Sequence, residues 1–187
     1  MRQRNNLGGK YVKSCNIGYP YFAFNLDDDK KECVAYRFSQ PEHQIVLMDG
    51  GTLALSLIPT LTQYDHLIVI DTVNASGVDG SEVYFFDFDK APPEIDWQGS
   101  AYEVEMLQTL IMMELVGDRP KTFVLGVTPT VLEPMHLGLT PKIYAAIPTM
   151  ESAILNHLTD LGITCERVNN IEINSLIPTA YKRESGT

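Results

Sequence analysis

Two aspartates, Asp49 and Asp71, close two short apolar runs, IVLM at 45–48 and LIVI at 67–70. Runs of four Ile-, Val- and Leu-rich residues read as buried strands. Between them lie the glycine pair Gly50-Gly51, the hydroxyl of Thr52, and Leu53, Leu57 and Leu61 at helical spacing. That length suits the crossover helix that joins parallel strands. Parallel strands end on the same side, and open α/β sheets bind ligands in the crevice beyond those ends. The two carboxylates are thus expected on one rim, as a candidate functional pair. Asp49 also precedes a glycine turn, where aspartate commonly bonds its own backbone. It therefore fits an organiser of Gly50 and Gly51, whose bare backbone lets a peptide approach closely.

The remaining elements must position that rim. Residues 10–15 are a candidate first strand, poor in apolar side chains, and residues 30–38 read as a short helix. Residues 82–87 (EVYFFD) and 122–127 (TFVLGV) are β-prone runs, the second stopping at the polar corner Thr128-Pro129. Ser100 stands three residues before Glu103, as in a capping box, and opens a helix ended by Gly117 and Pro120. Met106, Leu107, Leu110, Met113 and Leu115 are its expected buried side. A last helix, starting near Pro141 or Pro148, runs to Leu161 and Gly162, and residues 163–168 add an edge strand. Strands alternating with helices imply an α/β fold, a three-layer α/β/α sandwich around a mostly parallel twisted sheet. One domain over 1–187 is expected, with a flexible arm at 1–9 and a loose tail at 170–187.

A formal net charge of −10 disfavours nucleic acid and anionic membrane surfaces. Between residues 82 and 118 there are nine acids and one base, so much of that charge is concentrated there. No apolar run approaches the roughly 20 residues that span a bilayer, and there is no charged-then-apolar leader. Cys15, Cys33 and Cys165 are odd in number without metal-type spacing, which suits a reduced, cytoplasmic protein.

Several motifs in order resemble the hydrogenase maturation endopeptidases: Asp49-Gly50-Gly51-Thr52, the run from His66 to Asp71, Leu125-Gly126-Val127-Thr128-Pro129, Leu132-Glu133-Pro134 and Gly138-Leu139-Thr140-Pro141. The resemblance spans most of 45–161. It implies a metal-dependent endopeptidase that removes the C-terminal extension of a [NiFe] hydrogenase large-subunit precursor. The nickel is presented by that substrate, and assembly chaperones are candidate partners. In the family a glutamate, an aspartate and a histidine bind the nickel, and Asp71 matches the aspartate. Tyr102, in Ser100-Ala101-Tyr102-Glu103, replaces the histidine. The glutamate position falls on Asn25 counted forward from the Asn16–Tyr19 turn, or on Asp27 counted back from Glu32-Cys33-Val34. A phenol with pKa near ~10 is a poor nickel ligand beside neutral imidazole. His136, in the loop after the 122–127 strand, is the nearby histidine that could reach the same rim in its place. The expected metal set is thus Asp71 and Asp27, from the resemblance, with His136 as the substitute, and Asp49 and Asp71 are the expected catalytic pair. Gly50, Gly51, Thr52, Tyr102, Thr128 and Pro129 would line the peptide. The other reading is a catalytically degenerate relative that binds a hydrogenase subunit without cutting it.

Overall fold

The computed structural model describes residues 10–15, 36–39, 44–49, 54–96, 101–129, 140–167 and 169–170. Its centre is a five-stranded sheet built from β1 (Lys10–Cys15), β3 (Gln44–Asp49), β4 (His66–Thr72), β6 (Val83–Asp87) and β8 (Lys121–Val127). The spatial order is β3-β1-β4-β8-β6. The first four strands run parallel, and β6 closes one edge antiparallel to β8.

Helices cover both faces of the sheet. On one side Ile68, Ile70, Leu125 and Val127 pack against α3 (Pro141–Asp160). That helix offers Ile143, Ala146, Ile147, Met150, Ile154 and Leu158, a stripe recurring every three or four residues. On the other side Leu67, Val69, Val124 and Phe86 pack with Leu61 of α1 (Ile58–Leu61) and with Met106, Leu110 and Met113 of α2 (Ala101–Leu115). The expected three-layer α/β/α arrangement is therefore present. Strands β4 and β8 have side chains buried on both faces, which is why they read as unbroken apolar runs.

Both long helices stop at a glycine in the left-handed region, Gly117 (φ 76) and Gly162 (φ 82). At each, the next amide bonds back five residues, Asp118 to the Met113 carbonyl and Ile163 to the Leu158 carbonyl. The chain thereby turns sharply without orphaned carbonyls. Helix α3 begins at Pro141, capped by Thr140, whose hydroxyl accepts from the Ile143 amide at 3.4 Å, and Pro148 lies exposed inside it.

Several expected elements differ. The 45–71 unit is parallel, but β1 lies between its two strands. Among its described residues the crossover holds a 3-10 turn, Ala54–Leu57, and the four-residue α1, with Pro59 in its first turn. The expected helix at 30–38 is overturned at its end: Tyr36–Ser39 is strand β2, antiparallel to β9 (Thr164–Arg167). Strand β9 in turn pairs with β2 in a separate ladder and not at the edge of the main sheet. The connection after β4 contains a further short ladder, β5 (Asn74–Ala75) with β7 (Ile95–Asp96). Leu115, expected in the core, is 80% exposed. The expected arm at 1–9, the Ser100 cap and nearly all of the 170–187 tail lie outside the described residues.

Charge and aromatic contacts lock the edge opposite the strands' carboxyl ends. Arg119 bridges Asp89 and Glu114, and Lys121 bridges Asp87 and Asp89. Nearby, the His157 ring sits 4.2 Å from the Phe123 ring and 5.2 Å from that of Phe85. Burial pushes the pKa of His157 below its usual 6.5, with His66 adding to the fall and Asp160 opposing it. His66 is lowered too, by burial first, Asp65 opposing and Lys121 assisting. Because the folded pKa values lie below the unfolded ones, the unfolded chain takes up these protons first as pH falls. Thermal melts should therefore show the histidines' contribution intact above pH 6.5 and shrinking below it. His157→Gln should flatten that slope, and an unchanged slope would contradict the assignment.

Candidate functional site

The sheet order fixes where a ligand can enter. From β1 the chain steps to β3 on one side, then crosses to β4 and β8 on the other. The order reverses between β1 and β4, and in open α/β sheets the crevice forms beyond the carboxyl ends at such a point. Asp71 is the penultimate residue of β4 and is buried there. Its Oδ1 accepts from the Thr72 amide at 2.8 Å and lies 3.5 Å from the Thr72 hydroxyl. The amide bond holds the carboxylate at the strand end. The pleat places it on the face of Leu67 and Val69, the side covered by α2.

Gly126 lies directly beside Asp71 on β8, and in the sequence it stands out only as part of the Leu125–Pro129 motif. A Cβ there would stand 2.4 and 2.5 Å from the two Cγ atoms of Val73. Val73 thus lies across the bare backbone of Gly126 while its amide bonds the Val127 carbonyl at 3.1 Å. A glycine inside a strand is the signal for such an approach. Gly126→Ala should cost about 1–3 kcal/mol, because a β-branched neighbour has little freedom to move aside. Urea melts would check this, and Val73→Ala in the same chain should recover part of the loss.

Tyr84 lies on the other side of Gly126, so Asp71, Gly126 and Tyr84 form one row across three strands. Desolvation first, then the Glu94 and Glu82 carboxylates, push the Tyr84 phenol's pKa up and keep it a proton donor.

Thr128 follows β8 and is buried. Its hydroxyl accepts from the Glu82 amide at 2.9 Å and donates to the Asp79 carbonyl at 3.1 Å. Its backbone bonds the Glu82 carbonyl and the Ser81 amide at 2.9 and 2.8 Å. Together these bonds hold Ser81 at φ 85, a conformation costly for a residue with a Cβ. Thr128 therefore ties down the 79–82 loop as a wall of the rim, with half-buried Pro129 next to it. Thr128→Val should cost about 1–3 kcal/mol by stranding the Glu82 amide. It should also expose the loop to proteolysis, and Thr128→Ser should restore protection.

Asp49 ends β3 on the same rim. Its backbone is level with Cys15 of β1, which is level with Ile70, so Asp49 falls one step short of Asp71. With β1 between them, their strands are about 9–10 Å apart. The rim is shared, but the two positions stand on alternate steps of the pleat.

Tyr102 is the second residue of α2. The helix ends shortly before β8, whose Lys121 amide bonds the Asp65 carbonyl at the strands' amino ends. Fifteen residues rise about 22 Å, a length sufficient to reach from those amino ends to the rim. Gly50, Gly51, Thr52, Asp27 and His136 lie outside the described residues. Among the described residues no three His, Cys, Asp or Glu side chains gather into a metal-sized group.

The model for hydrogenase maturation protease (HycI) matches residues 32–157. Protein HydD of Wolinella succinogenes is 49% identical over 150 residues, 80% of this chain and 94% of its own. The chain belongs to the hydrogenase maturation protease family. Another relative, the hydrogenase 2 maturation protease of Escherichia coli, is 29% identical over 71% of this chain and 80% of its own. Among solved structures, the hydrogenase maturating endopeptidase HybD from E. coli superposes with a TM-score of 0.66 at 24% identity. That match covers 85% of this chain and 97% of HybD, and shows the shared fold. The family match spans β4, α2, β8 and most of α3, so Asp71 and the first turn of α2 both fall inside it. Among the described residues no helix is long and apolar enough to cross a membrane.

Proposed function

We propose that this protein recognises the nickel-loaded large-subunit precursor of a [NiFe] hydrogenase and removes its C-terminal extension. The observation that carries this reading is Asp71, a carboxylate buried at the strand end beside the topological switch point and held by the Thr72 amide. An anionic oxygen so placed is a suitable ligand for a divalent metal arriving on a substrate. Nickel belongs to the precursor in this account. A metal bound next to a peptide polarises its carbonyl, and water then splits the C–N bond into an acid and an amine. Asp49 ends its strand on the same rim, and the Thr128-anchored loop forms a wall for the extended tail.

The test is the intact mass of the nickel-loaded precursor after incubation with the purified protein. A product shortened at its C-terminus supports cleavage, and an unchanged mass, where another family member cuts, contradicts it. Tyr102 supports a second reading, because α2 begins with a phenol where the resemblance places the imidazole ligand. On that reading the protein holds the precursor without shortening it, and binding with no mass change would decide for it.

A further inference from the structure

Helix α2 is apolar on both sides. Met106, Leu110 and Met113 enter the core, while Ile111, Met112 and Leu115 face outward and Val116 continues the strip. Leu115 and Val116 are 80% and 69% exposed. Leu55 adds to the exposed apolar residues from the 3-10 turn that packs beside the helix. Contiguous exposed apolar side chains mark interaction sites.

Charge selects the occupant. Helix α2 carries Glu103, Glu105 and Glu114 and no base, and exposed Asp118 follows it. Arg119 is turned inward, its side chain 7% exposed, against Asp89 and Glu114. Among the described side chains, the exposed acids Glu114 and Asp118 flank the strip, and the helix carries no base. A second copy would set acids against acids in a chain of net charge −10, and an anionic lipid surface would be repelled in the same way.

We propose that the outer face of α2, centred on Ile111, Met112, Leu115 and Val116, docks an amphipathic helix of a partner protein bearing Lys and Arg along its flanks. Ten residues of helix, about 15 Å, separate Tyr102 from Met112, so such a partner need not cover the crevice. The inference is independent of whether the protein cleaves.

Two labelled 18-residue helical peptides test it on the full chain by fluorescence anisotropy. They share one leucine pattern, with every polar position Lys in one and Glu in the other. The Lys peptide should bind and the Glu peptide should not. Leu115→Asp should weaken the Lys peptide about tenfold or more. Val78→Asp, at another exposed apolar residue, should not weaken it. Binding driven by charge alone would strengthen when Leu115→Asp adds a carboxylate to the strip, so a tightened complex with that variant overturns the proposal. Equal binding of both peptides, or none, overturns it too. So does a wild-type dimer that Leu115→Asp separates. Matching circular-dichroism melts would show that the substituted chain folds.

Discussion

Asp71→Asn is expected to lower processing of a nickel-loaded precursor by at least about 100-fold while leaving the fold intact. Asparagine keeps the shape of the side chain and an amide oxygen that can accept from the Thr72 amide, now 2.8 Å from Asp71 Oδ1. What is lost is the negative charge, and with it the ligand strength that a divalent metal requires. Even groups that only support a metal ligand typically change affinity about 10–100-fold, so losing the ligand itself should cost no less. Rates from the intact mass of the precursor, with a urea melt of each protein, separate the two effects. A variant that melts normally yet cleaves at the wild-type rate would remove Asp71 from the reaction.

The second large effect is a gain. Tyr102→His is expected to raise the affinity of the rim for nickel or cadmium about 10- to 100-fold. Neutral imidazole offers a nitrogen lone pair near pH 7, whereas the phenol must first lose a proton with a pKa near ~10. Helix α2 packs on Asp71's side of the sheet, which makes its first turn the place to test a new ligand. Isothermal titration of both proteins with cadmium checks this. Unchanged affinity would mean that the start of α2 does not face the metal. If the wild type binds precursor without cutting and Tyr102→His cuts, the tyrosine is what silences the site.

The parts of this fold visible in the sequence are those decided locally. Strands β4 and β8 are buried on both faces, so their Ile and Val runs announce them. The glycines ending α2 and α3 are equally plain, because few other residues accept that turn. Strand β1 is the contrary case: KYVKSC has little apolar content, yet it is an interior strand, paired on both sides by β3 and β4. Its place follows from where β3 and β4 pair, which no single stretch of sequence encodes. Tyr36–Phe38 reads as the end of a helix until β9, more than a hundred residues later, pairs with it. Leu115 fits the period of a buried helix face loosely, and α2's apolar outer side hides which face is the inner one. At the site, Asp71 is legible because it ends a strand. The packing of Val73 over Gly126 and the anchoring of the 79–82 loop by Thr128 are long-range contacts that appear only once the chain is folded.

Contact between Asp71 and the metal is what the proposed cleavage requires first. Crystals soaked in cadmium or nickel and measured at the metal's absorption edge give the direct answer. An anomalous peak about 2.0–2.4 Å from an Asp71 carboxylate oxygen is the expected result. Metal bound elsewhere on the protein, with none at Asp71, would contradict it.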